Sequence, residues 1–169
     1  RARRQRQMCI RDRQNIDGNI KKQIDIPVST DELEFAFNEM REFFEAGEVD
    51  LLLLEMMSIP ERAVPLYDCV SNSTLPVWCG LSAKRTDHKS KITSFHNELV
   101  SFENNVKTAS HYNFDVMGIM HTAVDLISDC NSIIKNHHTG PLMAYPDSGY
   151  FQAPNWQFVD IITPQNLLS

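Results

Sequence analysis

Glu55 closes a run of four leucines, Leu51 to Leu54, and is the first side chain whose placement suggests chemistry. A run apolar at every residue cannot be a half-exposed strand, which alternates. It reads as a strand covered on both faces, the habit of a parallel sheet under helices. An amphipathic helical pattern precedes it and ends at Gly47, and a second follows Ile59-Pro60. That order puts the Glu55 carboxylate at the C-terminal end of a parallel strand, where α/β folds bind ligands. Three more runs end on polar groups. Ser82 closes Leu75–Ser82, His121 and Thr122 follow Phe114–Met120, and Tyr145 closes Leu142–Tyr145 before the turn Pro146-Asp147-Ser148-Gly149. Parallel strands gather their C-terminal ends, so Glu55, Ser82, His121 and Tyr145 should face one mouth.

Other reactive side chains have plainer readings. For Glu55 the alternative is capping a neighbouring helix. Cys79 lies mid-strand and Cys130 mid-helix, so both read as buried, inert thiols. His137-His138 finishes a helix, where the dipole favours it. The basic stretch Lys84–Lys91, with His88, reads as a solvated loop; contact with a substrate carboxylate is the sharper alternative, since a strand end precedes it. Trp78 and the methionines Met56, Met57, Met117 and Met120 read as packing.

The elements that must position these groups follow from periodicity. Ser29 to Glu32 supplies N-cap chemistry for a helix whose inner face is Leu33, Phe37, Met40 and Phe44. Ser58-Ile59-Pro60-Glu61 opens a second helix through about residue 70, with Pro65 as a discord inside it. Ile92, Phe95, Leu99, Phe102 and Val106 mark a third, ending near Ser110, and Val124 to Ile134 a fourth. Residues 83–90 read as loop, the stretch around Trp156 as irregular, and Thr163-Pro164-Gln165 as a helix start. Strands begin near residues 49, 76, 114 and 141, roughly 27, 38 and 27 apart, which suits βα repeats. An open doubly wound sheet or part of an eightfold barrel remains, and no strand is followed by a Gly-rich phosphate loop.

Composition narrows the class. The 169 residues are 42% hydrophobic and 22% charged, an ordinary globular balance. No run approaches the ~20 apolar residues of a membrane span. Cys9, Cys69, Cys79 and Cys130 lack paired or metal-type spacing, so a reducing, cytoplasmic setting is expected. Residues 1–13 hold six of the nine arginines, but Met8 to Arg13 looks like a translated transposon sequencing adapter. Residues 1–13 are therefore set aside as a sequencing or assembly artefact, 14–29 as a loop, and 30–169 as the domain. Without those six arginines and Asp12, ten basic and 21 acidic residues remain, a balance of about −11 that disfavours nucleic acid. On that reading the chain is a fragment of a longer protein.

Four motifs in order, Gly47–Glu55, Leu75–Trp78, Gly118–Thr122 and Pro141–Gly149, resemble the homocysteine S-methyltransferase family over roughly residues 31 to 168. The resemblance implies an α/β fold, a partial TIM (β/α)8 barrel holding strands four to seven, without the eighth strand's Gly-Gly-Cys-Cys. It implies methyl transfer from an unidentified donor to the thiolate of homocysteine, giving methionine, with no nucleic acid or membrane as partner. Its cofactor is Zn2+, held by three cysteines, because a free thiol of pKa ~8.5 is mostly protonated at neutral pH. The implied substrate contacts are Glu55, for the ammonium group, with Ser82, Tyr145, Asp147 and Ser148 around the mouth; Trp156 reads as core or lid packing, with a site wall as the alternative the resemblance adds. The family's Gly-x-Asn-Cys is Gly118-Ile119-Met120-His121 here, so His121 stands where a cysteine ligand belongs, and Asp147 where the family has asparagine. Histidine binds zinc at ~2.0–2.1 Å against ~2.3 Å for sulfur, so His121 is the candidate metal ligand; the plainer alternative is that zinc binding has been lost. The alternative is a degenerate barrel of the same family, acting as a binding or regulatory module. The fragment alone is expected to be inactive.

Overall fold

The computed structural model describes residues 28–47, 49–86, 91–152 and 157–167. The readings of residues 1–27, His88 and Trp156 lie outside them.

Helix α1 (Thr30–Ala46) begins as the sequence predicts. Ser29 Oγ accepts from Glu32 N at 3.2 Å, and Glu32 returns a carboxylate to Ser29 N at 3.0 Å, closing a capping box. Phe37 is buried on its inner stripe, with Leu33, Met40 and Phe44 packed against the core, and the helix stops at Gly47. Strand β1 (Leu52–Leu54) leads to α2 (Pro60–Val70). Pro65 stays inside α2, on its buried side: it is the sixth of eleven residues, and the helix continues past the bond to Glu61 O that its ring removes. Ser58 is not its cap. The cap position belongs to Ile59, with no side-chain bond, because Ser58 turns its hydroxyl elsewhere.

After β2 (Val77–Leu81) the structure departs from expectation. Strands β3 (Ala83–Arg85) and β4 (Ile92–Ser94) pair antiparallel, and α3 starts only at Phe102. The helical spacing of Ile92, Phe95 and Leu99 misled. Thr93 and Ser94 are buried by pairing, Asn97 Oδ1 accepts from Leu99 N in a turn, and Leu99 is 91% exposed. Ser101 caps α3 (Phe102–Ser110), accepting from Asn104 N at 3.1 Å. Strand β5 (Val116–Met120), a 3-10 turn at Val124–Leu126, α4 (Ile127–Lys135) and β6 (Leu142–Tyr145) follow. The stretch read as irregular contains a second antiparallel pair, β7 (Tyr150–Gln152) with β8 (Gln157–Val159), before the short α5 (Pro164–Leu167).

The four predicted strands form one parallel sheet in the order β1-β2-β5-β6. Parallel strands alternating with helices are compatible with part of a (β/α)8 barrel. Leu54 pairs with Cys79, Leu81 with Ile119 and Met120 with Tyr145. Gly118 is required where β5 meets β6, because a Cβ there would run into the Met143 backbone. The core joins Leu52, Leu54, Leu81, Met117 and Ile119 of the sheet to Tyr67, Phe102, Val106 and Ile134 of the helices. Among the described residues no helix is long and apolar enough to cross a membrane.

Candidate functional site

The register brings the predicted strand ends together. Glu55 lies one residue beyond β1 and is only 7% exposed, so the chain carries a buried carboxylate at the sheet's C-terminal end. Met56 follows with φ 59°, a left-handed conformation that costs a non-glycine residue on the order of 1–3 kcal/mol. Its amide meets Met120 Sδ at 3.4 Å, and Met57 N rejoins the sheet at Gly80 O, 2.9 Å away. Ser82 sits at the same end but is fully buried. Its Oγ lies 2.9 Å from Met120 O and 3.1 Å from Met56 Sδ; its single hydrogen suits the carbonyl, the stronger acceptor. Thr122 Oγ1 donates to the same carbonyl at 2.9 Å and accepts from Ala83 N at 3.0 Å.

The end of β5 presents His121 with φ 44°, the second left-handed residue at this end. Two backbone bonds tie it to the loop after β6: His121 N donates to Tyr145 O at 2.9 Å, and Asp147 N to Thr122 O at 3.1 Å. The imidazole Nδ1 lies 3.5 Å from Asp147 Oδ1, with the side chains 32% and 22% exposed. The Tyr145 ring meets the imidazole edge-on, centroids 5.1 Å apart. The contact with Asp147 raises the His121 pKa above its ordinary value; burial opposes the rise, and the charges of Asp147 and then Glu55 add to it. Ser148 is exposed, and its carbonyl accepts from Ile162 N at 2.8 Å, which fastens the following segment to the same loop.

A polar cluster that the sequence reading missed holds the loop after Glu55. Asn105 Nδ2 donates to Met57 O at 2.8 Å and to Ser94 Oγ at 3.1 Å. Ser94 Oγ donates to Ser58 O at 2.6 Å, and Ser58 Oγ lies 2.7 Å from His96 Nδ1. Reading residues 92–101 as a helix hid this cluster; the available signal was Ser94, His96 and Asn97 crowded into a supposed apolar stripe. Lys84, read as part of a loop, lies in β3 instead, and its ammonium pairs with Glu98 at 2.6 Å.

Among the described residues, no group of three His, Cys, Asp or Glu side chains could hold a metal ion. Cys79 is fully buried, and desolvation pushes its thiol up to about 12 against the opposing Tyr67 contact; desolvation likewise pushes Cys130 up to about 12. These residues alone do not fit zinc, because one imidazole cannot replace three or four ligands. A cavity of about 330 Å³ opens at the other end of the sheet, between Ser73-Thr74 and Tyr112–Asp115, away from all the predicted site residues.

No curated protein matches the chain. The family model for homocysteine S-methyltransferase matches residues 9–167 of the 169, taking in residues 9–30 as well as the four motif-bearing strand ends. By that match the chain belongs to the homocysteine S-methyltransferase family.

Proposed function

We propose that this chain forms part of a homocysteine site, and that the reaction served is methyl transfer to the homocysteine sulfur, giving methionine. The observation that carries the reading is Glu55: a buried carboxylate at the strand end, close enough to His121 to act on its charge. A carboxylate at the C-terminal end of a parallel strand lies where α/β folds bind ligands, and the ammonium group of an amino acid is a chemical match for it. Tyr145, Asp147 and Ser148 form the wall of the mouth, and Ser82, fully buried with its hydroxyl on Met120 O, supports it from behind. In the transfer a sulfur–carbon bond forms as the donor's bond to the methyl carbon breaks. The electron pair of that bond stays with the donor atom, and the thiol proton leaves to solvent or a base. Zinc at His121 would need cysteine ligands from outside the described residues. Histidine in place of the family's cysteine favours a second reading, a binding module of this family without catalysis. The buried free thiols of Cys69, Cys79 and Cys130 support a reducing, cytoplasmic setting.

Calorimetric titration of the chain with homocysteine tests the reading. Glu55→Gln should weaken binding about 10- to 100-fold, the effect of losing a charged hydrogen bond. Equal binding by wild type and Glu55→Gln, or none by wild type, removes the proposal. Methionine formation by the complete reading frame, supplied with sulfonium or quaternary ammonium methyl donors, separates the enzyme from the binding module.

A further inference from the structure

We propose that Asp147 is a positioning residue for His121, holding Nδ1–H toward its carboxylate so that the lone pair rests on Nε2, where it accepts a hydrogen bond from the thiol of an amino-acid substrate. Only the identity of that thiol rests on the methyl-transfer reading. The positioning rests on geometry.

An ionised carboxylate can only accept, so the imidazole nitrogen facing it must carry the hydrogen. Nδ1 is that nitrogen, 3.5 Å from Asp147 Oδ1. The separation exceeds that of a well-formed bond, as such contacts often do before a ligand closes the site. Three further contacts make the pair a built one. The reciprocal backbone bonds His121 N to Tyr145 O and Asp147 N to Thr122 O clamp the two loops together. The edge-on Tyr145 ring restricts rotation of the imidazole. Left-handed backbone at His121 sets the direction in which its side chain leaves the strand, a conformation kept only when its surroundings enforce it. Both side chains are partly buried, which moderately strengthens a charge contact relative to one in open water. Glu55 then remains the carboxylate for the substrate's ammonium group.

The test is a long-range proton–nitrogen correlation spectrum of the full chain, labelled with 15N-histidine, in EDTA and at a pH where the ring is neutral. Loss of one signal set in His121→Gln identifies His121 among the six histidines. The wild type should show Nδ1 protonated and Nε2 bare, and Asp147→Ala should shift the population away from that tautomer. A wild-type His121 protonated on Nε2 overturns the proposal on its own, even if Asp147→Ala fails to fold. An unchanged tautomer in folded Asp147→Ala also overturns it. Added homocysteine should move the Nε2 resonance. If the tautomers are as expected but homocysteine moves nothing, the positioning stands and the thiol assignment falls with the methyl-transfer reading.

Discussion

At the N-terminal end of the parallel sheet, Asp115 Oδ2 accepts from Val77 N at 2.7 Å, and Asp115 N returns to Val77 O at 2.9 Å. Tyr112 Oη donates to Asp68 at 2.9 Å, Ser73 Oγ to Glu45 at 2.7 Å, and the rings of Tyr67, Tyr112 and Phe114 pack within 5.0–6.0 Å of one another. At the C-terminal end, Met56 and His121 hold left-handed backbone, Glu55 is buried, and His121 faces Asp147 at 3.5 Å. One end uses its polar side chains to close backbone and loop contacts. The other keeps charged groups and strained backbone side by side at a mouth. Strain and concentrated charge raise the energy of a fold and persist where the surroundings hold them for another purpose. A cavity by itself is therefore a poor guide here, since the one described above lies at the end devoted to stability.

The comparison can be broken by substitution at each end. The largest effect should come from Tyr67→Ala, which empties a fully buried site inside the aromatic cluster. It should cost about 3–5 kcal/mol, read as a lower denaturant midpoint. Next, Asp115→Ala leaves Val77 N–H without its side-chain acceptor and should cost about 1–3 kcal/mol, while homocysteine binding by the folded fraction stays as in wild type. A loss of binding without a loss of stability would show that the N-terminal end serves the site after all. The smallest effect on stability should be that of His121→Gly. Glycine adopts φ 44° without strain, which offsets the lost imidazole contacts, so the unfolding midpoint should move by less than about 1 kcal/mol equivalent. A loss of several kcal/mol would mean His121 is part of the packing rather than a group held at the mouth.

Much of the scaffold was already written in local patterns. The capping box at Ser29 and Glu32 is a short-range exchange of bonds, and the inner stripe of α1 follows helical period, so both could be read directly. The four parallel strands announced themselves as continuous apolar runs, and the sheet pairs them as those runs suggest. Three things depended on contacts between distant segments. The antiparallel pairing of β3 with β4 was obscured because apolar spacing alone does not distinguish a helix from paired strands and a turn. Ser58 Oγ lies 2.7 Å from His96 Nδ1, 38 residues away, a contact that no local pattern shows. The pairing of His121 with Asp147 needed β6 to lie beside β5 in the register Met120 to Tyr145. A one-residue slip would point alternate side chains to the other face. Residue types and strand ends were therefore set by the sequence alone. Which imidazole nitrogen meets which carboxylate was decided by tertiary structure, because register and loop closure are properties of the assembled sheet.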